Sequence, residues 1–242
     1  MSLSDLALAL IVLLAYTTQA ISGFGSTVIT ITLAALWLPI PSILPIFVML
    51  NIPFSGWLLW QERAHVSWHL LAREIMPLMT GGAVIGAALV PLLAASGTMK
   101  HLYGALIVSL SLLDLWRLSQ RRHQRFVPPL RMTMIFGAGI AQGLYASGGP
   151  LLAAATAGSG LSKAASRATM ITVWFTINTG LTIWLFAAGS YSDEMLVKAG
   201  WMFPVTMLGL LIGNRLHDHI DERQYRLLID VLLLIAGLGL LR

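Results

Sequence analysis

Gln19-Ala-Ile-Ser-Gly-Phe-Gly-Ser26 interrupts a run, 5–38, that carries no charge after Asp5 and is otherwise apolar enough to sit in a membrane. As one helix, the 34 residues of that run would be about 51 Å long, against roughly 30 Å of hydrocarbon to cross. Ser22-Gly23-Phe24-Gly25-Ser26 therefore reads as a break, because glycine allows both a tight reversal and a close backbone approach. A second run, 132–158, is broken in the same way by Ser147-Gly148-Gly149-Pro150. The legs read as about 9 to 16 residues each, roughly 14–24 Å and too short to span. Each broken run is expected to be a re-entrant hairpin.

Six more predominantly apolar runs, 42–60, 74–96, 101–118, 169–189, 198–214 and 225–241, complete a set of eight segments. Composition agrees: the chain is 57% apolar and 10% charged, with a mean hydropathy of +0.81, where soluble domains are about 45–50% apolar and about 25% charged. That excludes a water-soluble enzyme, a nucleic-acid binder and a disordered chain. The net charge of +5 does not argue for nucleic acid, because in a membrane chain charge sets orientation. With no Cys, disulfides, thiolate metal sites and Cys nucleophiles drop out. Leu6–Ala15 follows Asp5 without a basic flank or a cleavage pattern, so it is expected to be retained rather than removed as a signal.

The two halves resemble each other. Pro77, Gly82 and Ile85-Gly86 recur 127 positions later as Pro204, Gly209 and Ile212-Gly213, and Asn51 recurs as Asn178 at the same separation. Gln19 precedes the first break as Gln142 precedes the second, and Tyr103 with Leu106-Ile107 resembles Tyr225 with Leu228-Ile229. These matches divide the chain into a first repeat, 1–118, a basic linker, 119–131, and a second repeat, 132–242.

With both hairpins returning to their own side, loops 61–73, 117–131, 159–168 and 215–226 share one face. They carry Arg63, Arg73, Arg117, Arg121, Arg122, Arg125, Arg131, Lys163, Arg167, Arg215, Arg223 and Arg226, twelve of the 15 Lys and Arg. Lys100, Lys198 and Arg242 are left on the other face. Two full crossings would divide the charges nine against six, so the positive-inside rule favours the hairpins and makes the basic face cytoplasmic. The expected fold is all-α and polytopic, with two inverted-topology repeats, each a broken-helix hairpin plus three transmembrane helices. Secondary transporters have this architecture, with the site near the midplane where the breaks meet.

Unpaired N–H groups and the positive dipole end at a helix start favour an anion. New helices are expected near Ser26-Thr27 and at Pro150, with Ser147 or Gly148 as the second cap. The candidate substrate-binding residues are Gln19, Ser22, Gly23, Phe24, Gly25, Ser26, Thr27, Asn51, Gln142, Ser147, Gly148, Gly149, Pro150, Trp174 and Asn178. Their amides and hydroxyls offer hydrogen bonds without a charge to desolvate; the competing role is hydrogen bonding between helices. Asp114 with Arg117 and Asp230 with Arg226 read as interfacial ion pairs, with a proton relay as the competing role. His217-Asp218-His219 and the pair His65, His69 are weak as metal sites. No nucleophile elbow, zinc helix or P-loop pattern occurs, and no catalytic residue, metal or cofactor is expected. The expected partners are the lipid bilayer and a small anion, with a possible homo-oligomer and no nucleic acid. An anion channel or a non-transporting assembly factor are the rival functions.

Gln19-Ala-Ile-Ser-Gly-Phe-Gly-Ser26, Gly139-Ile-Ala-Gln-Gly-Leu-Tyr-Ala-Ser-Gly-Gly-Pro150 and the basic linker between them together resemble the sulfite exporter TauE/SafE family, also called the toluene-sulfonate uptake permeases. The resemblance implies secondary transport of small sulfur anions, such as sulfite, sulfoacetate and other organosulfonates, across the bacterial cytoplasmic membrane, often outward. The family's first motif tends to continue with more glycine, where Ser26-Thr27 stand here.

Overall fold

The computed structural model describes residues 3–120, 127–156, 159–216 and 222–242, and every regular element among them is helical. The first break lies between α1 (Leu3–Ser22) and the short α2 (Ser26–Ala34), and α3 (Ile40–Glu62) follows. A 3-10 turn, a helical turn at Trp68–Leu70 and a π turn at Leu71–Ile75 lead into α4 (Met76–Ala95), and α5 (Met99–Gln120) comes next. Then the order repeats. α6 (Pro128–Tyr145) and the short α7 (Gly149–Thr156) flank the second break, with α8 (Lys163–Ala187), α9 (Asp193–Leu216) and α10 (Glu222–Leu240) after them. All eight expected segments are helical. Among the described residues, five helices are long and apolar enough to cross a membrane, and the chain is a polytopic membrane protein. Val84, Leu92, Ile183, Val197, Leu228 and Ile235 are more than half exposed, and that outer surface is matched to lipid rather than water.

Four boundaries differ from the sequence reading. The leading legs are longer than expected: α1 has 20 residues and α6 has 18, about 30 and 27 Å, so α1 is not too short to span, while α2 and α7 have only 9 and 8. α6 begins at Pro128 because prolines suit a first turn whose N–H groups have no helical partner, which places Arg131 inside the helix, paired with Glu74. α8 begins at Lys163, capped by the Ser162 hydroxyl accepting from Ala165 N at 3.2 Å, so Arg167 is helical rather than in a loop. α7 begins at Gly149, which makes Pro150 its second residue. His217, Asp218 and His219, Arg121, Arg122 and Arg125, and the side chains of Arg117, Lys163, Arg223 and Arg226 lie outside the described residues.

Packing relates the two runs of five helices. α1 packs on α9 and α6 on α4; α3 pairs with α8, and α5 with α10; α2 lies on α1 and α7 on α6. Exchanging the two runs maps this set onto itself. The α4–α6 seam shows how close the helices come. A Cβ on Gly82 would lie 2.3 Å from Phe136 O, and one on Gly143 would lie 2.1 Å from Ala83 O. Gly82-x-x-x-Gly86 thus faces Gly139-x-x-x-Gly143 backbone to backbone, the small-residue packing that holds helices together where no water is expelled between them. Gly209 and Gly213 of α9 meet Leu13 O and Thr17 O of α1 in the same manner. These two seams bring the breaks to the middle of the molecule.

Candidate functional site

At the first break the backbone leaves the helix through two left-handed glycines, Gly23 (φ +83) and Gly25 (φ +111), a region that a Cβ disfavours. Gly25 caps α2. At the second break Ala146 takes the left-handed conformation with φ 51, its N–H donating to Gln142 O at 2.8 Å as α6 ends. α7 then folds back on α6, so that a Cβ on Gly148 would lie 2.3 Å from Ala138 O. The two breaks touch. The Thr27 hydroxyl donates to Ala146 O, and Phe24 packs against Gly149. Trp174 of α8 closes one side, its Nε1 donating to Gly23 O at 3.2 Å.

A run of amide hydrogen bonds crosses this centre. Gly148 N donates to Gln142 Oε1 (3.1 Å), Gln142 Nε2 to Asn178 Oδ1 (2.7 Å), and Asn178 Nδ2 to Asn51 Oδ1 (2.9 Å). Asn51 Nδ2 donates in turn to Gln19 Oε1 (2.9 Å) and Ser26 Oγ (3.0 Å). The Asn and Gln pairs matched between the halves are therefore one continuous network, joined at Asn51 and Asn178. It ends on Gln19 Nε2, which is buried and has no hydrogen-bond partner. Every amide oxygen in the run accepts, so the donors that remain are Gln19 Nε2 and one hydrogen each on Gln142 Nε2 and Asn178 Nδ2.

A cavity of about 240 Å³, including its open mouth, lies against this network. Gln19, Phe24, Gly25, Thr27, Asn51, Gln142, Gly149, Trp174 and Asn178 line it, together with Val28. No charged side chain is among these residues. Ser22 and Pro150 line an adjoining cavity of about 450 Å³, which shares Phe24 and Gly25 with the first and contains Asp114, Asp230 and Tyr225. Gly23, Ser26 and Gly148 act through their hydrogen bonds and turns rather than by lining the central cavity. Ser147 is also turned elsewhere, its Oγ 2.8 Å from Tyr103 Oη and 2.9 Å from Tyr145 O.

Sequence reasoning missed five residues here. Ser55 donates to Asn51 Oδ1 at 2.6 Å; its position one turn after Asn51 was the available signal. Tyr103, fully buried, bonds both Ser147 and Thr32, and Tyr225 bonds Thr18 at 2.8 Å. The matched tyrosines thus each reach the broken segment of the other half, a role their match did not reveal. Arg167 donates through Nη2 to Ala20 O at 2.8 Å and pairs with Glu62 at 3.1 Å, directly beneath Gly23. Val28 is an apolar wall without a sequence signal.

The family model for the sulfite exporter TauE/SafE matches residues 8–240, nearly the whole chain. Among curated proteins and among solved structures, nothing matches.

Proposed function

This chain belongs to the sulfite exporter TauE/SafE family, and from that premise we propose that it moves small sulfur oxyanions across the bacterial cytoplasmic membrane, outward, by alternating access. The observation that carries this reading is the central cavity, where both breaks and four amide side chains converge and Gln19 Nε2 lacks a partner at 1% residue exposure. A sulfite or sulfonate group presents several acceptor oxygens on one atom and no donor of its own when ionised. It matches a wall that offers unused amide hydrogens on Gln19, Gln142 and Asn178, helped by the starts of α2 and α7. With no cation in the lining, the anion is held without an ion pair and can leave again.

Transport follows from the two-run architecture. We read the runs as inverted repeats, α1–α5 and α6–α10, because the order of elements and their packing partners are preserved when the runs are exchanged. Rocking one run against the other about the Asn51–Asn178 contact would open the cavity to one face at a time. The basic loops and helix ends orient the chain with Arg63, Arg73, Arg131 and Arg215 toward the cytoplasm.

Counterflow in proteoliposomes tests the reading. Labelled sulfite should enter vesicles preloaded with unlabelled sulfite or sulfoacetate, saturably, and carboxylates should compete poorly. Exchange limited to carboxylates would overturn the sulfur assignment. Flux that neither saturates nor depends on internal anion would replace alternating access by a channel.

A further inference from the structure

The amide network is built from matched residues, yet its two halves are bonded differently. Gln142 Oε1 accepts from Gly148 N, and Gln142 Nε2 donates to Asn178 Oδ1. Gly25 follows Gln19 as Gly148 follows Gln142, by six residues. Gln19 Oε1 nevertheless accepts from Asn51, and its Nε2 is left over. Ser55, four residues after Asn51, donates to Asn51 Oδ1. Thr182 follows Asn178 at that same spacing, but its hydroxyl is buried without a hydrogen-bond partner, the neighbouring Tyr191 donating to Pro45 O instead.

The same inequality runs through the surroundings. Gly25 is left-handed, with φ 111, and Gly148 is not. Ile229 of α10 lines the cavity of about 450 Å³. Its match on α5, Ile107, is sealed at 1% exposure and lines neither cavity. Two copies of one arrangement therefore stand in two conformations within a single chain. In a pair of inverted repeats, exchanging those conformations is what turns the site from one face to the other.

We propose that the amide network reverses direction between two states, so that the donor offered to the anion passes from Gln19 to Gln142, with Ser55 and Thr182 as positioning residues. In the second state Gly25 N donates to Gln19 Oε1, and Gln19 Nε2 to Asn51 Oδ1. Asn51 Nδ2 then donates to Asn178 Oδ1, and Asn178 Nδ2 to Gln142 Oε1. Thr182 takes up Asn178 Oδ1, Ser55 is released, and Gln142 Nε2 becomes the unpartnered donor. This rests on the transport reading above and names its moving part. The state described holds five bonds among the matched residues, and reversal preserves that number. Ser26 Oγ tips the balance toward the state described by accepting from Asn51, because its match, Gly149, has no hydroxyl. Rotating neutral amides moves no charge through lipid.

The chain has no Cys, so one introduced thiol is a clean reporter. I107C is sealed in the state described and lines a cavity after reversal, so its maleimide labelling in purified protein, without anion, follows the second state's population. T182V/I107C removes a bond from the second state alone and should label roughly three- to tenfold more slowly than I107C. Its melting temperature should not move, because the state described loses no bond. S55A/I107C removes a bond from the first state alone and should label faster by a similar factor. S55A/T182V/I107C loses one from each and should return to within about twofold of I107C. I229C, lining the open cavity now, is the second reporter and must not shift in the same direction as I107C. Thermal melting checks that each variant is folded. A T182V change without effect on labelling, S55A and T182V acting in the same direction, or an I107C thiol that never labels would overturn the proposal. Opposed shifts in a protein without sulfite counterflow would leave the reversal standing and remove the transport reading. Counterflow without the shifts does the reverse.

Discussion

Replacing Gln19 by Glu separates the two halves of one amide. Oε1 of Gln19 accepts from Asn51 Nδ2 at 2.9 Å, and Nε2 has no partner within the protein. A glutamate keeps the acceptor toward Asn51, and therefore the network, while turning the unpartnered donor into an oxygen. The bound anion loses a charge-assisted hydrogen bond worth about 1.5–3 kcal/mol. It also gains a like charge at contact, about 4 kcal/mol at 4 Å with an effective dielectric near 20. Together these amount to roughly 5–7 kcal/mol, or about four to five orders of magnitude in affinity. Burial opposes ionisation of the new carboxyl, and a protonated carboxyl donates, so the loss should be largest at high pH and shrink as pH falls. The assay is scintillation-proximity binding of labelled sulfite to the purified protein at pH 8, with thermal melting in the same detergent. Binding should disappear while the melting temperature moves by only a few degrees. A folded Q19E protein that binds sulfite like the parent would refute the assignment of Gln19 Nε2 to the anion, and with it the polarity derived for the whole network.

Other substitutions probe the frame around the site. Gly143→Ala drives a Cβ to within 2.1 Å of Ala83 O and 2.7 Å of Ala87 N, so the α4–α6 seam must open; a loss of roughly 3 kcal/mol or failure to fold is expected, read by size-exclusion of the fluorescent fusion. Gly180→Ala, with nothing within 4 Å of the new methyl, should instead stabilise α8 by about 0.5–1 kcal/mol in thermal melts. Tyr103→Phe leaves Thr32, fully buried, without its partner; about 1–3 kcal/mol of stability should be lost, with sulfite affinity changing far less than in Q19E. Tyr191 lies between α8 and α9, its hydroxyl donating to Pro45 O at 3.1 Å, and burial raises the pKa of its phenol. Its contribution to stability is therefore complete below the ordinary tyrosine value, near 10, and is lost as pH rises through the elevated one. Tyr191→Phe should flatten that alkaline fall in a melting series across pH.

Membership of the membrane class, the eight helical segments and the two breaks were all legible in the sequence, because each is a local property of the chain. Length without charge decides whether a segment can enter lipid, and Gly23, Gly25 and Gly148 mark where the backbone turns. Gln19, Asn51, Gln142 and Asn178 were legible as candidates because an amide among apolar neighbours requires a partner. Boundaries failed where charge was taken to mark the end of a helix. Arg131 and Arg167 lie inside helices because Glu74, Glu62 and a helix-terminal carbonyl compensate them, and those partners are distant in sequence.

The tertiary structure alone decided which faces meet. In water, an apolar stripe tells which side of a helix is buried. In lipid the inner and outer faces are both apolar, so α3, α4 and α9 give no such stripe to read. The rotation of α4, α6 and α9 is set by backbone contact at Gly82, Gly143 and Gly213, a matter of ångström-scale shape that composition does not encode. That rotation turned Ser147 away to Tyr103, joined four separate amides into one directed network, and brought Arg167 under the first break.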